Sequence, residues 1–135
     1  MLDERISAGA ALRPFVPAES FQESRRFYEA LGFRVTPLGD KIALVQVGSA
    51  EGAASFLLQD FYVKELAENL MMQLVVEDLD AWWRHIVALD PDGRFGVGTP
   101  RPPQEQPWGQ RVAYLWDPSG VLWHVAAAHA KAASA

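Results

Sequence analysis

The sequence predicts an α+β protein made of two βαβββ modules, whose curved antiparallel sheets surround a cup. Three observations carry that reading. The order strand, helix, strand, strand, strand is legible in residues 11–60 and again in residues 70–127. The two helices start at matched positions: Ser20 matches Asp78, Phe21 matches Leu79, Tyr28 matches Ile86 and Leu31 matches Leu89, an offset of 58 residues. Neither half has enough core to stand alone, so the two must pack together, within one chain or between two.

Each element has a local reason. Residues 1–10, "MLDERISAGA", are mostly polar and read as a flexible tail. "AALRPFVPA" reads as the first strand, closed by Pro17. "ESFQESRRFYEALGF" is the clearest helix. Ser20 can cap it, Glu23 completes an S-x-x-E capping box, and Gly32 ends it in a left-handed cap. Phe21, Ser24, Phe27, Tyr28 and Leu31 share one face at helical spacing. Three strands follow, "FRVTPL", "KIALVQV" and "ASFLLQ", separated by the turn signals "GD" and "GSAEG". Residues 61–69 are a connector.

The second module opens with the strand "MMQLVVE". "DLDAWWRHIVAL" is a helix capped by Asp78, with Leu79, Trp82, Ile86 and Leu89 on its apolar face. "DPDG" turns the chain, "RFGVGT" reads as a short strand, and "PRPPQEQPWG" reads as a proline-rich loop. "RVAYLWD" and "VLWHVA" form a hairpin around "PSG", and residues 128–135 are a flexible tail. Of the rings in "WW", one belongs in the core and the other at least partly outside it.

Composition excludes several classes. A chain of 135 residues is one domain's length, half hydrophobic and 21% charged. It has no cysteine, which removes disulfides, thiolate metal sites and cysteine nucleophiles and fits a cytoplasmic location. No signal peptide and no membrane-spanning run is visible. A net charge of −5, with no basic cluster beyond "SRR", argues against nucleic acid as a partner. "GRFGVG" follows a turn and opens no helix, so it is no phosphate loop.

Several motifs have structural explanations. "DPSG" is a turn device, because proline presets the bend and glycine takes the conformation other residues avoid. Phe27 and Tyr28 on a helix face read as core. Arg111, after "WG", offers five donors to hold its loop. His85 lies in a helix and His129 in the tail.

Together, the repeated βαβββ order, "SRRFYEALGF" after the first strand and "PWGQRVAYLWDPSGVLWHV" at the end resemble the vicinal oxygen chelate superfamily. That group comprises glyoxalases, bleomycin resistance proteins and dioxygenases. The match covers roughly residues 11–127, and "W-G-x-R" leading into "D-P-x-G-x-x-W" resembles the bleomycin-resistance-like branch; a phosphonate-associated branch shares that pattern.

Metal-using members of the superfamily carry ligands at four matched strand positions. By resemblance these fall on Arg13, on Phe56 or Leu57, on Met71 and on His124. Only His124 is a good donor for a hard or borderline divalent metal. Arginine cannot ligate, and methionine suits soft copper(I). A two-residue slip would bring in Gln73, which still leaves the set short of a catalytic site. The expectation is therefore no metal, no cofactor and no catalytic residue, with His124 lacking a visible orienting acid.

What remains is a pocket. Strand alternation that turns His124 into the cup also turns Leu122 and Ala126 there and sends Trp123 to the helices. Val112, Tyr114 and Trp116 share one side of the partner strand, which by resemblance is the cup side. The expected ligand-binding residues are Phe15, Met71, Tyr114, Trp116 and Trp108 as apolar walls, with Arg13, Gln73 and His124 as polar points. That lining suits a small aromatic or heterocyclic molecule.

The resemblance and the missing ligands together imply a metal-independent, bleomycin-resistance-like protein that sequesters such a compound. Two alternatives are a glyoxalase- or dioxygenase-type metalloenzyme with an atypical site including His124, and a non-catalytic structural or regulatory dimer. The resemblance also implies a homodimer, because a single module leaves open sheet edges.

Overall fold

The computed structural model describes residues 1–48 and 54–128. A single helical turn, α1 (Glu4–Ser7), buries none of its residues. The first module then runs β1 (Phe15–Pro17), α2 (Phe21–Leu31), β2 (Arg34–Pro37), β3 (Ile42–Gln46) and β4 (Ser55–Gln59). After α3 (Lys64–Asn69), the second runs β5 (Met71–Val76), α4 (Leu79–Leu89), α5 (Pro91–Phe95), β6 (Arg101–Glu105), β7 (Arg111–Trp116) and β8 (Leu122–Ala127).

The modules form two four-stranded sheets with matching order, β1-β4-β3-β2 and β5-β8-β7-β6. In each, the first strand pairs in parallel with the last, and the other pairings are antiparallel. The helix following each first strand lets the chain return in the same direction, which a tight hairpin cannot do.

The helix ends behave as their sequences dictate. Ser20 Oγ accepts from the Glu23 N–H at 3.3 Å. The Glu23 carboxylate pairs with Arg26. Gly32 adopts φ +104° and closes α2. Asp78 Oδ1 accepts from the Ala81 N–H at 2.9 Å and caps α4.

Several stretches differ from the sequence reading, beginning with the helical turn α1 inside the predicted tail 1–10. The first strand holds only three residues, since Pro14 and Pro17 bound the segment that can join a ladder. The connector contains α3, which packs Ala67 into the core. "DPDG" initiates the helical turn α5, with Pro91 in its first position, where proline's fixed φ is helical. Residues 96–100 form no strand, whereas "RPPQE" does, as β6. That strand is the edge of its sheet, the one place where prolines cost no ladder bonds, and its register shifts between Arg101 and Gln104. The turn at 49–53 and most of the predicted tail, residues 129–135, lie outside the described residues.

Both helices pack between the sheets. Phe27, Tyr28 and Leu31 of α2 and Leu79, Ile86 and Leu89 of α4 are buried against Val16, Val45, Phe56 and Leu58 from the first sheet and Leu115, Trp123 and Val125 from the second. Tyr28 lies 5.1 Å from Phe56 and 5.9 Å from Trp123, so an aromatic cluster joins the modules. Trp82 and Trp83 are both partly buried against this core.

Candidate functional site

One face of each sheet lies against the helices; the other is partly exposed, although Val112 and Ala126 on that face of the second sheet are buried. In the second sheet the register aligns Met71 with Leu122 and Trp116, and Gln73 with His124 and Tyr114. Alternation puts these residues on the face opposite the buried Leu74, Leu115, Trp123 and Val125. Five of the eight expected binding residues therefore meet on one surface: Met71, Gln73, Tyr114, Trp116 and His124.

The ring geometry is specific. The His124 imidazole lies 4.8 Å from the Tyr114 ring, tilted by 37°. Tyr114 and Trp116 meet edge to face at 6.3 Å. The Arg101 guanidinium lies 5.6 Å from the centre of the Trp116 ring, a cation–π contact. Desolvation pulls His124 below its ordinary value, which favours neutral imidazole near neutral pH. A neutral imidazole offers one donor and one acceptor beside two aromatic rings.

The other three expected residues lie elsewhere. Phe15 is on the open face of the first sheet, aligned with Leu57 and Leu44. Leu57, not Phe56, shares that face; Phe56 is buried in the core. Among the described residues no strand of the first sheet pairs with one of the second. Arg13 is exposed and precedes β1, so strand alternation does not orient it. Trp108 sits in the β6–β7 turn, beyond the Arg111 end of β7 and about 16 Å of strand from Trp116. Its indole N–H donates to Gln110 Oε1 at 3.2 Å, and Gln110 Nε2 donates to the Ala127 carbonyl at 2.8 Å.

Residues with structural readings keep them. Arg111 pairs with Asp80 at 3.0 Å and holds the turn to α4. His85 Nε2 is 2.7 Å from the Leu31 carbonyl, so its N–H closes the end of α2. The Asp117 carboxylate accepts from the N–H groups of Ser119 and Val121, which is the expected turn chemistry. Its other oxygen accepts from the buried Tyr28 hydroxyl at 2.6 Å, and that hydroxyl accepts from Trp123 Nε1 at 3.0 Å. The turn thus also ties the second module to α2 of the first.

Of the residues that the resemblance puts at metal positions, Arg13, Phe56 or Leu57, and Met71 offer no suitable donor, and His124 offers one. Among the described residues no group of three or more His, Cys, Asp or Glu side chains could hold a metal ion. The side chains present do not fit a superfamily-type metal centre.

The model of the Glyoxalase/Bleomycin resistance protein/Dioxygenase superfamily matches residues 11–125. The chain belongs to that superfamily. Among solved superfamily folds, a bleomycin-binding protein complexed with bleomycin is 23% identical, with a TM-score of 0.72 over 87% of this chain and 98% of that one. A bleomycin resistance determinant encoded on transposon Tn5 is also 23% identical, with a TM-score of 0.73 over 87% and 97%. A lactoylglutathione lyase from Agrobacterium tumefaciens is 16% identical, with a TM-score of 0.62 over 89% and 95%. No curated protein matches the sequence. At these identities the solved structures establish the superfamily fold and leave the activity to the residues. Among the described residues no helix is long and apolar enough to cross a membrane.

Sequence reading missed one feature altogether. A cavity of about 740 Å³ lies beside Trp116, walled by the turn 117–120, the stretch 96–101, Glu19, Tyr62 and Glu68. Its walls come from four separated segments, so no local pattern announces it.

Proposed function

We propose that this protein binds and sequesters a small aromatic or heterocyclic molecule, without a metal, on the open face of its second sheet. The observation that carries the reading is the row His124, Tyr114 and Trp116, with ring centres 4.8 and 6.3 Å apart on a face the chain's own helices leave uncovered. Flat rings find apolar walls there, and His124 and Gln73 supply orienting hydrogen bonds. The donor set at the superfamily's metal positions supports metal independence, and binding of bleomycin by a protein of the same fold supports sequestration.

Phe15, Trp108 and Arg13 join this site through a second copy. Phe15, Met71 and Val75 are exposed, and β1 and β5 are sheet edges. Exposed apolar side chains on open edges favour a homodimer in which one chain's first sheet faces its partner's second. The protein works in the cytoplasm.

A thermal-shift screen tests the function, pairing divalent metals with aromatic and heterocyclic compounds. A compound that binds only the folded state raises the melting temperature by mass action. We expect a shift with an aromatic compound, lost in Tyr114→Ala and His124→Ala, and none requiring metal. Metal-dependent stabilisation abolished by His124→Ala would overturn the reading in favour of the enzyme. Light scattering tests the dimer; a monomer at micromolar concentration overturns that part.

A further inference from the structure

The cavity shares Trp116 with the row on β7 and β8, but its other walls, Glu19, Tyr62, Glu68 and the stretch 96–101, give it its own chemistry. Its volume of about 740 Å³ lies within the range of small-molecule sites. One side carries Glu19 and Glu68 next to Tyr62, and another carries Arg101 next to Trp116.

These opposite charges do not neutralise one another. Among the described residues no ion pair joins Arg101 to either glutamate. The Arg101 guanidinium lies by the Trp116 ring instead. Glu68 makes a 4.0 Å contact with the exposed Lys64. The Tyr62 phenol is held above its ordinary value, first by desolvation and then by Glu19, Glu68 and Glu65, so negative potential dominates that side.

Hydrogen bonds brace the backbone around the cavity, while the Glu19, Glu68 and Arg101 side chains are exposed. Ser119 Oγ accepts from the Glu19 N–H at 2.9 Å, which pins Glu19 to the turn. The turn is braced by the Asp117 carboxylate. The Trp116 ring lies against Gly98, where a Cβ would stand 3.4 Å from it. Thr99 Oγ1 donates to Asp92 Oδ2 at 3.2 Å and anchors the stretch after Gly98.

We propose that this cavity binds a small aromatic zwitterion, with its ring beside Trp116 and Tyr62, its ammonium group at Glu19 and Glu68 and its carboxylate at Arg101. A ligand bearing one charge would satisfy one wall and leave the other unpaired. Separated charges on a ligand of this size match separated charges on the walls. The site shares Trp116 with the one under Proposed function but uses neither Tyr114 nor His124.

Amide and indole NMR shifts of the full-length protein, titrated with tryptophan, tryptamine and indole-3-acetate at pH 7, test this. Tryptophan should move the amides of Gly96, Gly98 and Gly120 and the Trp116 indole N–H. It should bind roughly fivefold more tightly than either singly charged analogue, the upper end for one partly exposed ion pair. Arg101→Ala should reduce tryptophan to the level of tryptamine, and the pair Glu19→Gln and Glu68→Gln should reduce it to the level of indole-3-acetate. His124→Ala should leave all of this unchanged, which separates failure here from failure of the open-face site. Equal binding of the three probes, shifts confined to Tyr114 and His124, or no shift at millimolar concentration would each overturn the proposal.

Discussion

Replacing Tyr28 with phenylalanine keeps the aromatic cluster and removes one oxygen. That oxygen is the hinge of a buried network. It donates to Asp117 Oδ2 at 2.6 Å and accepts from Trp123 Nε1 at 3.0 Å, with Tyr28, Asp117 and Trp123 all buried. A hydrogen bond to a charged group contributes about 1.5–3 kcal/mol, and a buried donor left unsatisfied costs about 1–3 kcal/mol. These terms overlap, so Tyr28→Phe should cost about 3 kcal/mol. For a chain of this length that lowers Tm by roughly 10 °C. Urea unfolding followed by tryptophan fluorescence measures it, with Trp123 as a buried reporter. The pH dependence has a definite sign. Burial already raises the Asp117 carboxyl, and the Tyr28 bond opposes that rise. Without the hydroxyl, the folded-state value climbs further above the unfolded one. A raised carboxyl is no burden below the unfolded value near 3.8 and becomes one as pH rises through the folded value. The Tyr28→Phe deficit should therefore shrink as pH falls from 7 toward 4. A loss below about 1 kcal/mol at pH 7, or a deficit that grows on acidification, would refute the idea that this network clasps the modules.

Three further outcomes are expected. His124→Gln should flatten the acid side of the stability profile: desolvation lowers the folded-state value below the unfolded 6.5, so the wild type loses stability as pH falls through that window. Thermal melts of both proteins between pH 8 and 5 check it, and identical profiles would contradict the shift. Ser20→Ala removes the side-chain acceptor of the Glu23 N–H and should cost about 1 kcal/mol in urea unfolding. Gly32→Ala places a Cβ on a residue at φ +104° and should cost about 1 kcal/mol or more; the Cβ itself would meet only His85 Nε2 at 3.8 Å, so backbone strain sets the cost.

The sequence by itself determined the repeated module, the bounds of the two long helices α2 and α4, and the buried faces of β7 and β8. Those signals are local: a capping serine three residues before a glutamate, apolar residues at helical spacing, and alternation around His124 that turns Trp123 inward. Short elements were harder. The helical turns α3 and α5 carry too few residues for a periodic signal, and "RPPQE" reads as loop until its edge position removes the penalty on proline. Only the tertiary structure decided what lies beside what. It separated Trp108 from Trp116 and assigned Leu57 rather than Phe56 to the open face of its sheet. It put the Asp117 turn on the Tyr28 hydroxyl of the other module and gathered Glu19, Glu68 and Arg101 around one cavity. Such contacts join residues tens of positions apart, and nothing in a local pattern fixes how two packed modules rotate against each other.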